Sequence, residues 1–160
     1  MITTQNIYTA IKRRLGMDFP NIANQIKDLK NPDKPCFYIE YVESHDRVVA
    51  NGTTQTTCSF NIVYYSQAKT LLDLTAVEKA LRKSLKKPLE VSYQTESGEN
   101  SVKFLDILDA EFEPDEYEYV LECSIGFDFM QNTEVQNPYD EYENSEVMEE
   151  LDINVKENEV

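Results

Sequence analysis

Glycine is scarce, with four in 160 residues. No G-x-G-x-x-G and no P-loop occurs, so the backbone loops that bring bare N–H groups to a phosphate are missing. Histidine is scarcer still. His45 stands alone beside Asp46, with no cysteine at a metal-ligand spacing, and neither H-E-x-x-H nor C-x-x-C is present. Cys36, Cys58 and Cys123 are odd in number, and each lies in an apolar, strand-like pattern. They read as reduced core thiols of a cytosolic protein and not as a disulfide framework. A thiol in apolar surroundings has a raised pKa and is inert, so no Cys–His nucleophile is expected. These shortages predict no catalytic, cofactor-binding or metal-binding residue and no cofactor. No apolar run approaches the roughly 20 residues of a membrane span. The first residues also lack the apolar stretch of a signal peptide, so the protein is expected to stay in the compartment where it is made.

Positive charge is the other shortage. Fifteen Lys and Arg face thirty Asp and Glu, for a net charge of −15. A field of that sign repels phosphate, which excludes nucleic acid and anionic membrane surfaces as main partners. The imbalance is uneven. From Gln131 onward, Glu134, Asp140, Glu141, Glu143, Glu146, Glu149, Glu150, Asp152, Glu157 and Glu159 face only Lys156. That segment carries −9, which leaves −6 for the first 130 residues. Asp106, Asp109, Glu111, Glu113, Asp115 and Glu116 read as the wet side and turn of a hairpin rather than as an acid–base pair.

What is present is alternation. In Tyr117–Met130, every second residue is apolar or aromatic: Tyr117, Tyr119, Leu121, Cys123, Ile125, Phe127 and Phe129. Side chains alternate faces along a strand, so the stretch predicts one buried and one wet face. It is long for a strand, so either it carries a bulge near Gly126 or one end projects beyond the domain. Thr54–Ser66 repeats the pattern, with Thr56, Cys58, Phe60, Ile62 and Tyr64 on one face. Cys36–Glu43 is apolar almost throughout, which predicts a central strand covered on both faces. The polar Ser44–Gly52 segment predicts a loop ending at an Asn51-Gly52 turn.

Helical spacing appears twice. Ile7, Ile11 and Leu15 with Ala10 predict a helix over 3–15, opened by Thr3 or Thr4 and closed by Gly16. Lys12, Arg13 and Arg14 in its last turn suit the helix dipole, a simpler reading than a recognition patch. Thr70 and Asp73 open a second helix with the stripe Leu71, Leu74, Val77, Leu81 and Leu85, stopped by Pro88. Its Lys79, Arg82, Lys83, Lys86 and Lys87 read as a solvated face. Between them, Asn21–Lys27 is a weak extended segment, and Pro32 and Pro35 break pairing before Cys36. Strands are expected over 89–95 and 101–112, joined by the polar turn at 96–100. With a Pro114-Asp115 turn they lead into the final strand as a meander. The pattern is α+β: a largely antiparallel or mixed sheet, two main helices on one face and a long hairpin toward the C-terminus. Residues 1–130 form the domain. Residues 131–160 form an extended acidic arm whose strand-like segment, 147–155, alternates Leu151, Ile153 and Val155 with polar residues. An isolated strand must pair with an edge of this domain or of another subunit.

The whole chain resembles the tail terminator (tail completion) proteins of phages and phage-tail-like particles of Gram-positive bacteria. The likeness runs through Phe19-Pro20, Lys34–Ile39, the Thr57–Tyr65 strand, the following helix and the closing Phe127-Asp128-Phe129. It ends in the acidic stretch Met148–Val155. It implies a non-enzymatic structural protein of the tail, assembled in the bacterial cytoplasm. In that family the chain forms a homo-oligomeric ring, commonly hexameric, on the head-proximal end of the tail. The ring ends tube and sheath polymerisation. It meets the head-tail connector where a capsid exists, and forms the collar where none does. Residues then expected at assembly contacts are Met148, Leu151, Ile153 and Val155 of the arm. The loop residues Arg47, Val48 and Val49 and the turn residues Ser97, Gly98 and Glu99 join them, since loops on a rigid sheet usually carry function. The competing readings are another neck or tail ring component, such as a head-closure or tube protein, and a monomeric acidic adaptor module.

Overall fold

The computed structural model describes residues 1–24 and 30–132. In chain order they form α1 (Thr4–Asp18), β1 (Cys36–Ala50), β2 (Thr53–Tyr65), α2 (Leu71–Ser84), β3 (Leu89–Gln94), β4 (Asn100–Leu105), β5 (Leu108–Asp115) and β6 (Val120–Asn132). The strands β1-β2-β6-β5 make an antiparallel sheet in that order, and β3 pairs with β4 in a second, two-stranded sheet. This is an α+β fold.

Alternation builds the core. Cys58, Phe60, Ile62 and Tyr64 of β2 lie opposite Phe127, Ile125, Cys123 and Leu121 of β6. All eight are buried on one face of the sheet. Both helices cover that face: Ile7, Ala10, Ile11 and Leu15 of α1 and Leu74, Val77 and Leu81 of α2 join the same cluster. Each fully buried Leu, Ile or Phe contributes about 1.5–3 kcal/mol. Edge-to-face rings tie the cluster together, with Phe60 and Phe127 centred 6.2 Å apart and Phe19 and Phe37 5.1 Å apart.

Local chemistry fixes the helix starts. Thr3 and Asn6 form a reciprocal capping box at α1. At α2, Thr70 Oγ1 accepts from the Asp73 N–H at 3.2 Å, but the Asp73 carboxylate does not return the bond. It accepts instead from Tyr64 Oη at 2.8 Å and Ser66 Oγ at 2.5 Å, pinning α2 to the end of β2. The stripe expected on α2 also narrows at its start, because Leu71 is exposed.

Several boundaries differ from expectation. Gly16 does not end α1; the helix runs to Asp18, where the Phe19 N–H closes it on Leu15 O. The glycine serves a close approach: a Cβ there would meet Asn24 Nδ2 at 3.3 Å, and that amide donates to Lys12 O at 2.8 Å. Of the weak segment 21–27, Ala23 makes a single bridge to Cys36, and Ile26 and Lys27 lie outside the described residues. β1 is an edge strand, not a central one. Its apolar run misleads because Val42 is a bulge residue between Tyr41 and Glu43, which leaves Tyr41 and Val42 half exposed. The expected loop from Ser44 is strand, since Ser44–Val48 pairs residue by residue with Cys58–Thr54. Pairing with a long neighbour overrides the weak β-propensity of these polar residues.

Four strands follow α2 where three are expected. Residues 101–112 break at Asp106-Ile107, and the halves enter different sheets, because Leu105 faces Leu89 while Phe112 faces Cys123. Near Gly126 the bulge belongs to β5, where Asp109 and Ala110 oppose the single Ile125. β6 keeps an unbroken register with β2 and projects past β5 from Phe127 onward. The turn expected at Pro114-Asp115 moves to 116–119. Asp115 Oδ1 accepts from the N–H groups of Tyr117 and Glu118 at 2.9 and 3.0 Å, and Tyr119 takes φ +54°. Tyr117 and Tyr119 therefore leave the buried face expected of them.

Candidate assembly interface

Three exposed regions stand out on this scaffold. The first is the far end of the sheet. β2 has thirteen residues, a run of roughly 40 Å at about 3.3 Å per residue. β1 and β6 accompany it to the tip, where Thr53 pairs with both Ala50 and Asn132. Gly52, at φ +74°, makes the reversal that an L side chain would strain. Arg47, Val48 and Val49 belong to β1 here; Val48 is 76% exposed, and Met130 of β6 is half exposed. Hydrogen bonds tie this end to the start of the chain. Gln131 holds the Ile2 backbone at N and O (2.7 and 3.2 Å) and donates to Thr56 Oγ1 at 3.2 Å. Thr56 in turn donates to Asp46 at 2.7 Å.

Ser97, Gly98 and Glu99 form the turn joining β3 to β4. Gly98 takes φ +81°, and Thr95 Oγ1 accepts from the Glu99 N–H at 3.1 Å. Ser97 lines a cleft with Met130, Gln131 and Asn132 of β6, so the turn borders the far end of the sheet, while no described contact joins it to Arg47, Val48 or Val49. Met148, Leu151, Ile153 and Val155 lie outside the described residues.

The second region is the wet face of the sheet. Glu40, Asn61 and Ser124 form a hydrogen-bonded row across β1, β2 and β6, and Gln55 clamps both oxygens of Asp128 at 2.8 and 3.0 Å. Toward the β5–β6 turn this face hollows into a groove of about 930 Å³. Glu40, Glu113, Asp115, Glu116, Glu118 and Glu122 line it with Tyr38, Tyr65, Tyr117 and Val63, and no Lys or Arg contributes. Burial, followed by neighbouring Cys36 and the acids Glu122 and Glu40, raises the Tyr65 phenol above its ordinary pKa.

The third region is the corner where α1 ends against α2. Here the expected role of the basic trio is corrected. Arg14 does not serve its own helix but donates to Ser84 O (2.7 Å), Lys87 O (3.3 Å) and Pro88 O (2.6 Å), the carbonyls at and after the end of α2. Such terminal carbonyls lack partners within their own helix and carry its negative dipole end. Arg13 reaches Glu90, and Ser84 Oγ donates to Asp18. Arg82 pairs with Glu78 and lies 4.3 Å over the Phe112 ring. Lys79, Lys83, Lys86 and Lys87 stay exposed, with no ion pair among the described residues. Between the helices opens a cleft of about 500 Å³ lined by Met17, Phe19, Ala80, Lys83 and Lys87 among others. Sequence periodicity places Lys83 and Lys87 outside the apolar stripe, but only packing of α1 on α2 puts both on one rim.

The three cysteine thiols are buried, and the single imidazole is exposed. Burial pushes the Cys58 thiol up to about 11 and Cys123 to about 12, and raises Cys36 as well. His45 is on exposed β1, 3.3 Å from Glu43 Oε2. Among the described residues no group of three His, Cys, Asp or Glu has metal-holding geometry, and no helix is long and apolar enough to cross a membrane. Residues 6–140 match the family model described as "Phage tail terminator protein". No curated protein matches the chain.

Proposed function

The chain belongs to the phage tail terminator family, and from that premise we propose that it closes the head-proximal end of a tail as a ring. Membership makes it a structural protein of the phage tail, placed in the virion tail and working against other tail components. The ring, commonly of six copies, ends polymerisation of the tube and any sheath. It offers its other face to the head connector, or forms the collar where there is no head.

The projecting β1–β2–β6 end is the observation that carries this reading. Val48, Val49 and Met130 are exposed on it, and hydrogen bonds from Gln131 to Ile2 and Thr56 and from Thr56 to Asp46 hold it in place. A partly apolar projection suits docking onto a tube end, with Arg47 beside it. Open backbone edges give a second means of assembly. Among the described residues the outer side of β1 is paired only at its start, by the Ala23–Cys36 bridge and the Phe37 N–H bond to Ala23 O, which leaves the outer edge from Tyr38 to Ala50 for strand addition. We assign the arm segment 147–155, with Met148, Leu151, Ile153 and Val155, to such an edge on a neighbouring subunit. The Ser97–Glu99 turn is a further candidate contact.

Light scattering over a concentration series, with and without purified tail tubes, tests the ring. A stable hexamer-sized species, or a monomer that becomes a ring on tubes, is expected. A strict monomer indifferent to tubes would instead leave the adaptor reading. Removing 147–155 should abolish assembly while leaving the domain folded; normal rings from the shortened chain would refute the role given to the arm.

A further inference from the structure

We propose that two unlike surfaces of this chain bind each other in neighbouring copies. The Glu116-Tyr117-Glu118 turn of one subunit seats in the α1–α2 cleft of the next. The inference rests on the ring reading and names the contact that would build it.

Tyr117 is 94% exposed, the most exposed large apolar side chain among the described residues. It does not hang on a loose loop, because Asp115 Oδ1 holds both the Tyr117 and Glu118 N–H groups. Tyrosine presented on a fixed turn binds with little loss of side-chain freedom, and it is enriched at the energetic centres of interfaces. Glu116 and Glu118 flank it, and the groove behind it carries acids without one base.

The cleft is its counterpart in shape and sign. Met17, Phe19 and Ala80 supply apolar walls, with Met17 itself 73% exposed. Lys83 and Lys87 stand at the rim without an ion pair among the described residues. Asp18, the one acid in the lining, already accepts from Ser84 Oγ. An acidic turn with an aromatic tip thus faces a basic rim around an apolar cleft, and charge complementarity of this kind sets both encounter rate and orientation.

The two surfaces differ, so the contact runs head to tail and not about a two-fold axis. Contacts of that type close into rings when the rotation between copies permits. A basic segment of some other protein would satisfy the acidic groove but leave the basic cleft unexplained. A second copy satisfies both at once.

The test reverses charge on each side separately. Lys83→Glu with Lys87→Glu, and Glu116→Lys with Glu118→Lys, are each expected to leave the chain folded by circular dichroism but unable to form the wild-type ring. Mixed in equal amounts they should recover it, because each variant's reversed surface now fits the other's. Tyr117→Ala should weaken assembly by about tenfold or more. Normal rings from either charge-reversed variant alone, or no recovery in the mixture, would overturn this contact while wild-type rings still uphold the ring. A wild-type chain that never forms rings, with or without tail tubes, would overturn both.

Discussion

Arg14 shows how one side chain couples two elements. Its three hydrogen bonds to Ser84 O, Lys87 O and Pro88 O satisfy carbonyls that α2 leaves without partners. Arg14→Ala should lower folding stability by about 2 kcal/mol, read as a shift in the urea midpoint. Arg14→Lys should restore little of it, since an ammonium cannot fork to three acceptors. Arg13→Ala is the control: its pair with Glu90 is nearly half exposed on both sides, so a loss of about 0.5 kcal/mol or less is expected. The cysteines offer a second measurement. With Cys58 and Cys123 held protonated by burial, a thiol reagent at neutral pH should label neither until the chain unfolds. For such an acid the native state keeps protons that the unfolded state releases above about pH 8.5. Their contribution to stability is therefore undiminished below that pH and falls as pH rises from about 8.5 toward about 12. Urea midpoints measured at neutral pH and at about pH 10 should show that decline.

Among the elements, the β1–β2 hairpin is the one whose reach matters most. Its two-residue reversal depends on Gly52 at φ +74°. Gly52→Val should cost about 1–2 kcal/mol and loosen the tip, which amide hydrogen exchange at Val48 and Thr54 would report. Val48→Asp is the opposite case. The side chain is 76% exposed, so stability should stay within about 0.5 kcal/mol of wild type. Binding to tail tubes should fall, because the substitution places a charge at the proposed docking surface. At α2, Thr70→Ala should cost about 1 kcal/mol through the lost cap.

At the scale of the molecule, charge is divided rather than merely excessive. Acids gather on the wet face of the sheet by the β5–β6 turn, and exposed lysines gather on the α1–α2 corner. If copies associate through these two surfaces, salt should oppose the step strongly. The Debye length falls from about 10 Å at about 0.1 M to about 3 Å at about 1 M salt. Ring formation over that range should slow by about tenfold or more, followed by light scattering after dilution, while urea unfolding of the monomer changes little.

The residues alone specify the inward face of β2 and β6, both helices and the threonines that open them, and the α+β class. Each of these follows from a period of two or of 3.6, or from a Thr at a helix start, and such signals are local. Partnership is not legible in that way. Nothing local says that the polar run from Ser44 pairs along β2, that Asp106-Ile107 splits a single apolar run between two sheets, or that β1 lies at an edge. The long strands available as neighbours decide these outcomes. The assembly surfaces follow the same logic. Lys83 and Met17 are far apart in the chain, and Tyr117 resembles another inward residue of its strand until Asp115 turns it out. Periodicity reports what a side chain has beside it along its own backbone, whereas a rim, a cleft or an exposed tip exists only once distant segments pack together.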